Sequence, residues 1–182
     1  MKLDLSALKL EIYPAKVLRK KAAKVEKVDA SIRALIEFMF KVMYEEEGIG
    51  LAAPQIGVSL RIFVVDVPNT EKNTTETDPP SASGGPMVYV NPVITCLPGK
   101  VVPYEEGCLS LPDIRGDVLR PPVISATALD DHSKEFTQVA GGLLSRCIQH
   151  ETDHLDGVLI IDKMVQMSRI KNKTAIKDLE RG

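Results

Sequence analysis

The stretch Gly142-Leu143-Leu144-Ser145-Arg146-Cys147-Ile148-Gln149-His150-Glu151-Thr152-Asp153-His154-Leu155 decides how this sequence reads. It has the pattern of a helix spanning residues 142–155 and stopped by Gly157. Leu143, Cys147, His150 and His154 recur at spacings of four, three and four, so they share one helix face. Inside it, His150-Glu151-Thr152-Asp153-His154 is an H-E-x-x-H. Two residues four apart lie one above the other on a helix, so both imidazoles can reach one metal ion. Glu151 stands one step round, near enough to touch a water at that ion without being a ligand. The chain has three histidines and two of them are here. The alternative is a helix that carries two unconnected histidines.

A catalytic metal site normally has three protein ligands and one open position, so a third donor has to come from elsewhere. No histidine or glutamate follows at the spacing of the familiar metalloproteases. The candidate lies upstream, in Glu105-Glu106-Gly107-Cys108-Leu109-Ser110, where Gly107 lets the backbone approach closely and a turn region follows at Pro112. Taken alone, Cys108 is more often a buried core thiol than a ligand. Cys96 falls in a strand-like run, and Cys147 reads as packing on the helix face. A third segment, Gly48-Ile49-Gly50-Leu51-Ala52-Ala53-Pro54-Gln55, combines small residues that allow close approach to a ligand with an amide donor in Gln55. It neither follows a strand nor opens a helix, so it is no dinucleotide fingerprint.

Working outward, Asp29 is an N-cap for a helix to about Glu46, with Ile32, Leu35, Ile36, Met39, Phe40 and Met43 as its apolar stripe and Gly48 as its stop. Strands are expected at Leu60–Val67, Met87–Thr95, Val123–Leu129 and Val158–Ile161. Asp130-Asp131-His132-Ser133-Lys134 reads as a hairpin turn, with the second arm beginning near Glu135. Residues 69–86, rich in Thr, Ser, Pro and Gly, read as a mobile surface loop, and the basic tail from Met164 as a last helix. Helices and strands mix without a βαβ rhythm, which predicts α+β, a single domain over 1–182 with mixed or antiparallel sheets around the H-E-x-x-H helix. A net charge of −2 gives no reason to expect a nucleic-acid or anionic-membrane surface, and the run Arg19–Lys27 reads as a solvated face. No apolar run approaches 18 residues, so no membrane span is expected. The absence of a signal-peptide core in Met1–Leu10 and the three sparse cysteines point to the reducing cytosol.

Gly48-Ile-Gly-Leu-Ala-Ala-Pro-Gln55, Glu106-Gly-Cys-Leu-Ser110 and Gln149-His-Glu-Thr-Asp-His154, in this order, closely resemble the three motifs of the peptide deformylase family. The resemblance runs from about Tyr13 to Lys163 and includes a Tyr-Pro-x-x-x-Leu-Arg-x-x-Ala opening. It implies that Cys108, His150 and His154 bind the metal, that Glu151 handles protons, and that Gln55 and the Leu109 N–H stabilise an oxyanion. It implies a pocket for a methionine side chain involving Ile49, Tyr104, Leu143, Arg146, Cys147 and His150. Gly50 would bind peptide backbone, with Leu51, Glu106 and Gly107 beside it and Arg115 at the cleft edge. Glu106 and Arg120 would support the metal ligands. Arg146 departs from a small or apolar residue, and its stem is expected to wall the pocket while its head snorkels to solvent.

The implied activity is hydrolysis of the formyl group from the N-terminal formylmethionine of nascent chains in the cytosol. Separately, and from composition alone, the basic tail from Met164 is a candidate contact with the ribosome. The resemblance implies Fe²⁺ as the ion, with Ni²⁺ or Co²⁺ as substitutes, whereas two imidazoles and a thiolate by themselves suit Zn²⁺. Two rivals stand beside this reading. A zinc endopeptidase would use a third ligand other than Cys108. A closed structural zinc site would need a fourth protein ligand, for which His132, in its hairpin turn, is the only histidine left.

Overall fold

The computed structural model describes residues 4–181; Met1 to Leu3, part of the N-terminal segment read above, and Gly182 of the tail lie outside the described residues. Helix α1 spans Ala30–Glu45, and its Asp29 N-cap accepts from the N–H groups of Ser31 and Ile32 at 2.9 and 3.1 Å. Its buried stripe is Ile32, Leu35, Ile36, Met39, Val42 and Met43, with Phe40 only half-buried at the edge. The stop is not Gly48 itself. Glu47 takes the left-handed conformation (φ 54°), and the Gly48 N–H then reaches back to the Met43 carbonyl at 2.8 Å.

Strands β1 (Gly50–Ala52), β2 (Ile62–Val65), β3 (Met87–Cys96), β4 (Val102–Cys108), β5 (Leu111–Arg120), β6 (Ile124–Leu129) and β7 (Glu135–Ala140) follow. Five of them form one antiparallel sheet in the order β1-β2-β3-β6-β7, and β4 and β5 form a separate two-stranded sheet. Helix α2 (Gly142–Leu155) comes next, then α3 (Ile160–Lys163), α4 (Gln166–Lys171) and α5 (Lys173–Arg181). The α+β class with antiparallel sheets is as expected. No helix among the described residues is long and apolar enough to cross a membrane.

Strand β2, Ile-Phe-Val-Val, is apolar throughout because both its faces are covered. Phe63 and Val65 pack with Leu144 and Ile148 of α2, whereas Ile62 and Val64 pack with the α1 stripe. The metal-motif helix therefore lies against one face of the sheet with α1 on the other. A third cluster joins the β4–β5 hairpin to α3, through Leu111, Ile114, Val118, Ile160, Ile161 and Met164.

Where the structure departs from the sequence reading, the causes are local. Residues 158–161 do not form a strand. The Asp162 carboxylate accepts from the Leu159 N–H at 2.9 Å and opens α3, so Ile160 and Ile161 are buried from a helix. Pro112 lies within β5 rather than in a turn, and the turn is Cys108-Leu109-Ser110-Leu111. The strand expected at 60–67 is shorter, and the tail holds two helices rather than one. The β6–β7 hairpin is as read, with Asp130 accepting from the N–H groups of His132 and Lys134. Residues 69–86 contain no helix or strand, yet Ser81 and Ala82 are buried. The Pro80 and Ser81 carbonyls accept from the Gly141 and Leu144 N–H groups at 2.9 and 3.1 Å, which satisfies donors at the start of α2.

After α2 the chain turns sharply through Gly157 (φ 73°), and a Cβ there would lie 2.8 Å from the backbone carbonyl of Arg19. Gly157→Ala combines a left-handed penalty with a clash against backbone, so it should destabilise the fold by at least about 1–2 kcal/mol. Urea denaturation measures this, and an unchanged midpoint would contradict the packing described.

Candidate metal centre and active-site cleft

Helix α2 presents His150 and His154 one turn apart, and the end of β4 brings Cys108 against them. The Cys108 Sγ lies 3.2 Å from His154 Nε2, which lies 3.3 Å from His150 Nε2. All three donor atoms fall within 4.8 Å of one another. Crowding two ring nitrogens and a sulfur at this spacing opposes their lone pairs unless something positive stands between them. The electrostatics agree. Burial lowers the proton affinity of His150, but its hydrogen bonds to Cys108 and Glu106 outweigh that and raise its pKa well above the ordinary value. Burial and the neighbouring His150 push His154 well below its own. A cation fits between the three converging donors. Two imidazoles and a cysteine sulfur, with no fourth protein donor in the cluster among the described residues, are the ligand set of a catalytic rather than a structural site.

His150 is aimed from behind. Its Nδ1 contacts Glu106 Oε2 at 3.0 Å, which turns Nε2 toward Cys108 and His154. Glu106 is 6% exposed and takes both prongs of Arg120, Nε at 2.6 Å and Nη2 at 2.8 Å. Arg120 Nη1 reaches Asp153 Oδ2 at 2.7 Å, inside the H-E-x-x-H itself. Burial works against the Glu106 charge, but the hydrogen bonds from Arg120 and His150 prevail and hold the carboxyl well below the usual carboxylate range.

Arg146 corrects the sequence reading. Its head does not reach solvent; the residue is 7% exposed. Nη1 donates to Glu106 Oε1 at 2.7 Å and to the Val118 carbonyl at 3.0 Å, and Nη2 donates to the Val102 carbonyl at 3.0 Å. Snorkelling loses because three acceptors lie within reach inside.

Glu151 is 4% exposed and its Oε2 has no hydrogen-bond partner among the described residues. Burial raises its pKa to about 7, against the opposing charges of His150 and Arg120. A buried carboxylate oxygen without a partner is costly and signals a place for something not made of protein. Gly50 of β1 makes this geometry possible, since a Cβ there would stand 2.5 Å from Glu151 Oε1 and 2.7 Å from Cys147 Sγ. Gln55 lies in the short 3₁₀ turn Ala53–Ile56. Its Oε1 accepts from the Ala52 N–H at 2.8 Å, which fixes the amide so that Nε2 faces Ser110 Oγ (3.3 Å) and Cys108 Sγ (3.7 Å). Cys147, by contrast, is a packed thiol whose Sγ faces the Ile49 carbonyl at 3.5 Å, with a pKa raised by burial.

A cleft of about 580 Å³ opens at these groups. Ile49, Gly50, Gln55, Tyr104, Glu106, Gly107, Cys108, Leu109, Arg115, Leu143, Arg146, Cys147, His150 and Glu151 all line it, as the sequence reading gathers them. Leu51 does not. Its side chain is fully buried against α1, because neighbouring strand residues point to opposite faces. His154 is a donor buried just behind the wall. His132 is exposed in its turn, 80% by side chain, and takes no part. Two contributors were missed: Ser110, which holds the Gln55 amide, and Asp153, which holds Arg120. Both sit inside quoted motifs, and that was their only signal. The rim residues Glu46, Glu47 and Asp113 gave none.

Residues 7–170 match the family described as polypeptide deformylase. A peptide deformylase of Picosynechococcus is 43% identical over 175 residues, covering 96% of this chain and 85% of the relative. Peptide deformylase 1 of Clostridium acetobutylicum is 43% identical over 154 residues, covering 85% and 92%. Among solved structures, the Ehrlichia chaffeensis peptide deformylase superposes with a TM-score of 0.85 at 36% identity, covering 96% of each chain. The Synechococcus elongatus peptide deformylase in complex with actinonin gives 0.80 at 36% identity, covering 97% of this chain and 90% of that one. With relatives this similar along nearly its whole length, the chain belongs to the polypeptide deformylase family of enzymes.

Proposed function

We propose that this chain removes the formyl group from the N-terminal formylmethionine of newly made polypeptides in the cytosol and releases formate. The observation that carries the reading is the buried Glu151 carboxylate, its Oε2 unpartnered among the described residues, beside three converging donors in a cleft of about 580 Å³. Cys108, His150 and His154 would hold a divalent ion, which when bound supplies Lewis acidity and makes water nucleophilic near neutral pH. We assign Fe²⁺ to the site by resemblance, with Zn²⁺, Ni²⁺ or Co²⁺ as substitutes.

In this mechanism Glu151 Oε2 takes a proton from the attacking water as its oxygen adds to the formyl carbon. The formyl oxygen becomes an oxyanion that accepts from Gln55 Nε2, already aimed by the Ala52 N–H, and from the Leu109 N–H. Glu151 then delivers the proton to the departing α-amine, and formate leaves. Ile49, Leu143 and Cys147 give the methionine side chain an apolar wall, with the Tyr104 ring at the mouth. Arg115, exposed at the edge, meets the peptide beyond it. The endopeptidase rival required a third donor other than Cys108, and the cluster contains Cys108.

The deciding experiment is formate release from a formyl-Met tripeptide by metal-loaded protein. Acetylated and unformylated peptides should stay intact, and cleavage of internal peptide bonds instead would overturn the reading. Glu151→Gln keeps the size of the side chain and removes the base, so the bound metal should remain while turnover falls by about 10²–10⁴-fold; near-normal turnover would exclude the assigned role. Gln55→Ala should lower turnover by about 10²–10³-fold. Gly50→Ala, which pushes Glu151 off its position, should cost about 10²-fold. Metal analysis of anaerobically purified protein should find iron, and zinc alone with full activity would refute that assignment.

A further inference from the structure

Arg120 already pairs with both oxygens of Glu106 and with Asp153. A single bidentate guanidinium suffices for one carboxylate, yet a second, Arg146, is buried against the same Oε1. Arg120 is divided between two carboxylates, so Arg146 adds charge balance at Glu106, but pairing alone does not require its two further bonds to backbone carbonyls. Arg146 sits one turn before His150 on α2. Its three acceptors are Glu106 and the Val102 carbonyl on β4 and the Val118 carbonyl on β5. Its guanidinium carbon lies 5.1 Å from the centroid of the Tyr104 ring, on β4 between Val102 and Glu106. One side chain of the histidine helix thus grips both strands of the hairpin that delivers Cys108.

We propose that Arg146 is a positioning residue of the metal centre, locking the β4–β5 hairpin onto α2 and fixing Glu106 so that His150 and Cys108 converge. The proposal rests on the reading of Cys108, His150 and His154 as metal donors. It departs from the snorkelling head expected from sequence, and it places the function of this arginine in its nitrogens rather than in its stem as pocket wall.

The test is the Zn²⁺ dissociation constant, measured by chelator competition at a temperature where circular dichroism shows every variant folded. Arg146→Met preserves the stem and removes the three hydrogen bonds. It should weaken zinc binding by about 10–100-fold, the range for losing a group that orients a ligand. Arg146→Lys can keep the Glu106 contact but not both carbonyls, and should fall between. In a Glu106→Gln background the Arg146→Met effect should largely vanish, because both changes release the same histidine. A role in general stability alone would lower the melting temperature and leave the zinc constant where it was. A wild-type zinc constant in folded Arg146→Met, or full additivity with Glu106→Gln, overturns the proposal. Should Arg146→Met fail to fold, Arg146→Lys carries the comparison, and a wild-type constant there has the same force. Wild-type protein that binds no zinc would refute the metal reading itself, which separates the two failures.

Discussion

The Glu106 carboxylate is almost fully enclosed, and a buried anion persists only where charge and hydrogen bonds compensate it. Here they come from Arg120, Arg146 and His150, carried on two different elements. Glu106 and Arg120 belong to the β4–β5 hairpin, while Arg146, His150 and Asp153 belong to α2. Satisfying one carboxylate therefore docks hairpin on helix, and the docking brings Cys108 to the two histidines. The three candidate metal donors converge where that docking places them. Removing one partner of such a buried pair typically costs about 3–5 kcal/mol, so structural and catalytic demands fall on the same atoms.

Glu151 shows the complementary case. Glu106 and Arg120 beside it are paired, and its own Oε2 is left without a partner among the described residues. The fold tolerates this because Gly50 offers no side chain to fill the space and because the Gln55 amide is tied back to Ala52. Gln55 and His150 are thus each held by a hydrogen bond from behind, whereas Glu151 Oε2 and His154 Nδ1 are buried without a partner among the described residues. The apolar wall of Ile49, Leu143 and Cys147 next to this polar floor is the division of labour expected of a cleft that grips a side chain and reacts at a neighbouring amide.

Much of the site was legible because its signals are local. The helix over residues 142–155 and its Gly157 stop follow from period and punctuation, and the Asp29 cap and the turn at Asp130 from short-range side-chain hydrogen bonds. Cys108 was ambiguous as a residue and became a candidate ligand only through its partners in space. The β4–β5 hairpin was missed because β4 has four exposed residues in succession and so lacks alternation. Val158–Ile161 was misread because an apolar run of four does not distinguish a strand from a buried turn of helix. The head of Arg146 was misplaced because its acceptors lie 28 to 44 residues away in the chain. Residue type predicts a snorkelling arginine; only the fold supplies the carbonyls that hold it inside.

The account stands on three protein donors around one ion, with the remaining position left to water and substrate. Anomalous diffraction at the metal edge, on crystals of protein loaded with one equivalent of metal, tests this most directly. The predicted result is a single peak bonded to Cys108 Sγ, His150 Nε2 and His154 Nε2, with solvent density between it and Glu151. A fourth protein ligand closing the site, or a peak that leaves Cys108 unbound, would contradict it.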